Sequence, residues 1–102
     1  MKIFLISDSH DTLVGMRLAG VKGVLVSSKE EGEAEFKRAI KDKEIGIIVL
    51  TERLASKIRH LVNEVKINQE MPLIIEIPNR QGSTRDDDYL VKYIKESVGI
   101  KI

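Results

Sequence analysis

IGIIVL (Ile45–Leu50) running into TERLASKIRHLVNEV (Thr51–Val65) reads as a buried strand followed by an amphipathic helix. The strand is apolar at nearly every position and rich in β-branched residues, the pattern of a strand covered on both faces in a parallel sheet. The helix opens at Thr51 as N-cap and carries Leu54, Ile58, Leu61, Val62 and Val65 at three- and four-residue spacing, which makes one wide buried face. Outward from this unit the same grammar repeats. Ile3–Ile6, Val24–Val26 and Leu73–Ile77 are three more short apolar runs.

Helical patterns separate these runs. The first spans about Asp11–Ala19, with Val14 and Leu18 one turn apart and Gly20 placed to stop it. The second spans Lys29–Asp42, opened by Ser28 with Glu31 three residues on as a capping box. Its apolar stripe is Phe36, Ala39 and Ile40, and Glu33 is placed to pair with Lys37 on the wet side. A fourth helix follows Ser83 and Thr84, with Asp86, Asp87 and Asp88 in its first turn, where the helix dipole favours anions. It presents Leu90, Tyr93, Ile94 and Val98, and Gly99 ends it.

Strand and helix alternating four times in about a hundred residues predicts a small α/β sandwich with right-handed crossovers. The expected sheet is parallel, four-stranded and ordered 2-1-3-4, a truncated flavodoxin-like arrangement with helices on both faces. Its crevice then lies between the ends of strands one and three, near Asp8 and Thr51. The 102 residues are expected to form one domain, with 86–102 a separately mobile tail. Pro78, which cannot donate to a ladder, and Glu76, inside an Ile-rich run, mark the fourth strand as an edge that opens into a polar loop, Asn79–Ser83.

Composition bounds the function. Lys and Arg number 17 against 16 Asp and Glu, so the net charge of +1 supplies no field to draw the chain onto nucleic acid or an anionic membrane. The absence of cysteine excludes disulfides, thiolate zinc sites and cysteine nucleophiles, and fits a reducing interior. MKIFLI (Met1–Ile6) is interrupted by Ser7 and Asp8, too short for a signal peptide or a membrane span, and a cytoplasmic protein with no membrane insertion is expected.

Two enzyme-like patterns stand out. Asp8-x-His10 after the first strand looks like the opening of a binuclear metallophosphoesterase, whose metal pair, roughly 3.5–4 Å apart, needs ligands from several strand ends. The other histidine, His60, falls on a helix, and the later strand ends supply only Thr51-Glu52 and Pro78-Asn79. The bland reading is that Asp8, Ser9 and Asp11 form a polar turn capping the first helix. A receiver domain would share the fold, but it needs an aspartate acceptor at the end of strand three, where this chain reads Leu50-Thr51-Glu52. Gly15, Gly20 and Gly23 lack phosphate-loop spacing. No cofactor or metal site is expected, and the residues alone describe an α/β domain without a visible active site.

Five blocks carry a family resemblance: the Ser7-Asp8 turn, MRLAGV (Met16–Val21), EIGIIVLTERLA (Glu44–Ala55), PLIIEIPNRQGS (Pro72–Ser83) and the terminal VGIKI. Together they resemble the F subunit of the archaeal-type and V-type rotary ATPases over nearly the whole chain. Met16 stands where that family usually has phenylalanine and Ser7 where it has glycine, and Ser9-His10 makes the turn unusual. The resemblance implies a non-catalytic rotor part that binds the coiled-coil D subunit of the stalk inside the ring of catalytic A and B subunits, with the C-terminal helix reaching the head. It implies a partner surface at Thr51, Glu52 and Arg53 with the loop Pro78, Asn79, Arg80, Gln81, Gly82 and Ser83. Arg17 and Leu18 are further candidates. Leu90, Tyr93 and Ile94 fit either a core stripe or a partner anchor.

Overall fold

The computed structural model describes residues 2–69 and 71–78. The elements in chain order are β1 (Lys2–Ser7), α1 (His10–Leu18), β2 (Lys22–Leu25), α2 (Lys29–Lys41), β3 (Ile45–Thr51), α3 (Glu52–Lys57), α4 (Arg59–Asn68) and β4 (Leu73–Ile77). The four strands form one sheet ordered β2-β1-β3-β4, and every pairing is parallel, as the alternation predicts. β3 is buried along its full length, which accounts for its unbroken apolar sequence.

The side chains of the sheet divide into two layers. On one face Phe4, Ile6, Ile48, Leu50 and Ile74 pack with Phe36 of α2, Leu54 and Ala55 of α3, and Val62 and Val65 of α4. On the other, Leu5, Ile47, Val49, Ile75 and Ile77 share a cluster with Leu13 and Met16 of α1. The period of two along each strand sorts its residues between these layers.

Local signals set the helix ends. The Ser28 hydroxyl accepts from the Glu31 N–H at 3.1 Å. The returning Glu31 carboxylate accepts from the Ser27 N–H at 2.6 Å and the Ser27 hydroxyl at 2.7 Å, one residue earlier than an ideal box. These bonds, the backbone one first, hold the Glu31 carboxyl below the usual carboxylate range. Gly20, at φ 88°, takes the left-handed conformation that closes α1.

Three expectations need correction. The helix foreseen from Thr51 through Val65 is two helices that meet at Ile58, whose backbone leaves helical geometry at φ −117°, ψ 31°. The break directs α3 against β3 and β4 and α4 against β4, while Ile58 itself stays fully buried. Neither glycine nor proline stands there, so the sequence carries no punctuation for it. The second correction concerns Glu33, whose carboxylate lies 3.6 Å from His60 Nε2, an ion-pair geometry across two helices in place of the foreseen pair with Lys37. The third is β2, which begins two residues before the apolar run because its pairing with β1 starts at Phe4 and Lys22.

β4 is an edge strand, and Glu76 is held there by Arg59, whose Nη1 and Nη2 donate to the two carboxylate oxygens at 2.5 and 2.8 Å. Lys66 Nζ adds a bond at 3.3 Å. The Arg59 hydrogen bonds, with Lys66, pull the Glu76 carboxyl down to about 2. A folded-state pKa below the unfolded value stabilises the fold above about pH 4.3 and loses that contribution as pH falls through 2. Because Arg59 is 40% exposed, solvent screens the pair, and we expect about 1–2 kcal/mol. Urea denaturation of wild type and Glu76→Gln should show a gap of this size at pH 6 that narrows towards pH 2.5. A gap independent of pH would remove the ion pair as its cause.

Candidate partner-docking surface

The polar turn after β1 is built from its own side chains. Ser7, fully buried, donates its hydroxyl to the Ser9 carbonyl at 2.8 Å and accepts from the Ser9 N–H at 2.9 Å. Ser9 is the N-cap of α1, its hydroxyl accepting from the Thr12 N–H at 3.3 Å. Asp8 is turned the other way. Its Oδ1 accepts a 2.8 Å hydrogen bond from Thr51 Oγ1 at the end of β3, and Arg53 Nε lies 3.9 Å from its Oδ2.

This corrects two sequence assignments. Thr51 occupies the N-cap position of α3 without a side-chain cap bond, because its hydroxyl is spent on Asp8. Asp8 and Asp11 do not cap α1, since Asp8 bridges to β3 and the Asp11 side chain is 99% exposed. The crevice foreseen between the ends of strands one and three is therefore spanned by a hydrogen bond. The Asp8 side chain is only 12% exposed there.

The same geometry bears on the enzyme-like patterns. Among the described residues no three of His, Asp and Glu are grouped as a metal site would need. His10 projects into solvent beside Asp11, its Nδ1 4.0 Å from Asp11 Oδ1. His60 is on α4, paired with α2. At the receiver-like acceptor position, the end of β3, stands a buried threonine.

The candidate interface residues separate into groups. Thr51 pairs with Ile77 in the ladder, so Glu52 and Arg53, both exposed, and the half-buried Pro78 share the rim at the C-terminal ends of the strands. Arg17 and Leu18, also exposed, lie at the far end of α1, near the N-terminal ends of the strands. With six residues in β1 that is roughly 20 Å from the first group. A groove of about 750 Å³ opens at that end, lined by Ile3, Phe4, Val21, Lys22, Arg38 and Ile45 among others. Arg80, Gln81, Gly82, Ser83, Leu90, Tyr93 and Ile94 lie outside the described residues. The sequence reading missed the Glu76–Arg59–Lys66 cluster. A charge inside an apolar edge run was the one visible sign of it.

Comparison with known proteins decides the family. Residues 3–94 match the profile of the ATP synthase (F/14-kDa) subunit family. The chain belongs to this family. The A-type ATP synthase F subunit of Pyrococcus furiosus is 36% identical over 107 residues, covering 100% of this chain and 98% of that protein. That of Methanothermobacter thermautotrophicus is 35% identical over 95 residues, covering 91% and 89%. That of Methanococcus maripaludis is 31% identical over 104 residues, covering 100% and 99%.

Membership in the ATP synthase subunit family gives the rim a context, since a component of an assembly must present surface to its neighbours. The bond from Thr51 to Asp8 locks the start of α3 to β1, so the exposed Glu52 and Arg53 project from fixed backbone. Surface held in this way loses little conformational freedom on association. No helix among the described residues of this ATP synthase component is long and apolar enough to cross a membrane.

Proposed function

We propose that the chain is a non-catalytic central-stalk component of an A-type or V-type rotary ATP synthase. In this reading it acts as one domain, at the cytoplasmic side of the membrane-bound complex, and grips the coiled-coil D subunit of the stalk. Segment 86–102 reaches the A and B subunits of the catalytic head, coupling and tuning ATP hydrolysis or synthesis with ion transport. The observation that carries the reading is the match to A-type ATP synthase F subunits over the full length of the chain.

The grip is assigned to the rim residues Glu52, Arg53 and Pro78, with the buried Thr51 fixing the start of α3 behind them, and to residues 80–83, which follow in the chain. To hold against torque the interface needs on the order of 1,200 Å² or more of buried surface, with apolar anchors inside a polar rim. Co-expression with the coiled-coil stalk protein of the same genome, followed by size-exclusion chromatography with light scattering, tests it. A one-to-one complex is expected, weakened about tenfold or more by Arg53→Ala. Separate elution of the two proteins at low salt would overturn the assignment.

A further inference from the structure

We propose that the groove at the N-terminal ends of the strands binds a small amphiphilic anion, an alkyl chain that carries one carboxylate or phosphate head. Its floor is apolar for a structural reason. α2 packs over β1 and β3, so on that face the flank of β1 towards the edge strand β2 is left open. Phe4 stands there half-buried, packed on one side against the α2 layer. Ile3 and Val21, also half-buried, belong to the α1 layer, so the groove crosses the end of the sheet and meets the margin of both layers. Its volume of about 750 Å³ falls within the roughly 300–1,000 Å³ usual for small-molecule sites.

Charge sets the sign of the guest. The whole chain is balanced, with 17 Lys and Arg against 16 Asp and Glu, but the groove is lined by Lys2, Lys22 and Arg38 against Asp42 alone. Lys22 is exposed and, among the described residues, makes no ion pair. It is the register partner of Phe4, so it stands on the same face of the sheet as the ring. Arg38 donates to Glu35, and Lys2 Nζ to Glu44 at 3.2 Å, both at the surface where solvent screens such pairs and either cation can turn to an incoming anion at small cost. Asp42 spends Oδ1 on the Glu44 N–H at 2.9 Å. The alkyl chain then lies on Phe4, Val21 and Ile45, with the anionic head between Lys22 and Arg38. The site stands at the opposite end of the sheet from the docking rim and does not depend on any partner's identity.

Titration of monomeric decanoate into the isotope-labelled full-length protein, followed by amide NMR, tests the site. Saturable shifts at Phe4, Val21, Lys22 and Arg38 are expected, with a dissociation constant of about 1 mM or below. Octanoate, shorter by two methylenes, should bind roughly five- to tenfold more weakly, and decyltrimethylammonium, the same length of chain under a cationic head, should leave these amides in place. Lys22→Glu should weaken decanoate about fivefold or more and Lys22→Gln, which keeps the aliphatic stem, about threefold, whereas Lys57→Glu on α3 should bind as wild type does. Shifts that rise without saturation, equal binding of the cationic amphiphile, or unchanged affinity in both Lys22 variants would overturn the site. If the same amides shift with protein concentration alone, a second copy of the chain occupies the groove and the assignment falls as well.

Discussion

Phe36→Ala is expected to lower the unfolding free energy by about 3–5 kcal/mol. Phe36 is fully buried at the middle of α2, in the layer formed with Ile6, Val26, Leu50 and Leu54. Truncation removes a ring that joins α2 to both the sheet and α3. Rigid β-branched neighbours on the strands have little freedom to close the void. Against a total stability of roughly 5–15 kcal/mol for such a domain, the loss is a large fraction. Urea denaturation followed by circular dichroism should show the midpoint falling by about 2 M, with an unchanged slope. A loss under about 1 kcal/mol would mean that the layer collapses around the gap and is less tightly packed than its burial indicates.

Gly23→Ala should cost about 2–4 kcal/mol, although glycine-to-alanine changes often stabilise by reducing unfolded-state entropy. A Cβ at Gly23 would stand 2.6 Å from the Leu5 carbonyl oxygen and 2.7 Å from Leu5 Cβ, with Leu13 Cδ1 at 3.2 Å. The first of these is backbone that pairs with Gly23 in the β1–β2 ladder, so it cannot rotate away. The strands must part or slide. Gly15→Ala is the matched control, because a Cβ there meets nothing within 4 Å inside α1, and it should gain about 0.5–1 kcal/mol. Opposite signs for the two changes in the same thermal-unfolding assay are the expected result. A neutral Gly23→Ala would show that β2 is not held as closely to β1 as this register requires.

The candidate surface shows how far residue patterns carry. Asp8 and Thr51 stand 43 positions apart, and the order 2-1-3-4 makes the ends of their strands neighbours, so the crevice was legible. The bond that closes it was not. Threonine before an acidic residue reads as a helix cap, and only the position of Asp8 across the sheet shows that the hydroxyl donates there. The break at Ile58 was hidden for a similar reason, because each half satisfies the same three- and four-residue spacing.

The alternation of strands and helices and the parallel sheet could be read from the chain alone, because periodicity, turn residues and capping groups act between neighbours in sequence, and the family was legible as a resemblance of whole sequence blocks. Which polar groups meet was decided by the tertiary structure. Arg59, Lys66 and Glu76 converge on one edge, His60 faces Glu33, and Thr51 turns to Asp8, because each pairing joins separate elements brought together by burial of the apolar layers. Hydrophobic burial is non-directional and leaves a periodic signature along the chain. A hydrogen bond depends on distances of about 3 Å between atoms whose separation exists only once the layers have closed.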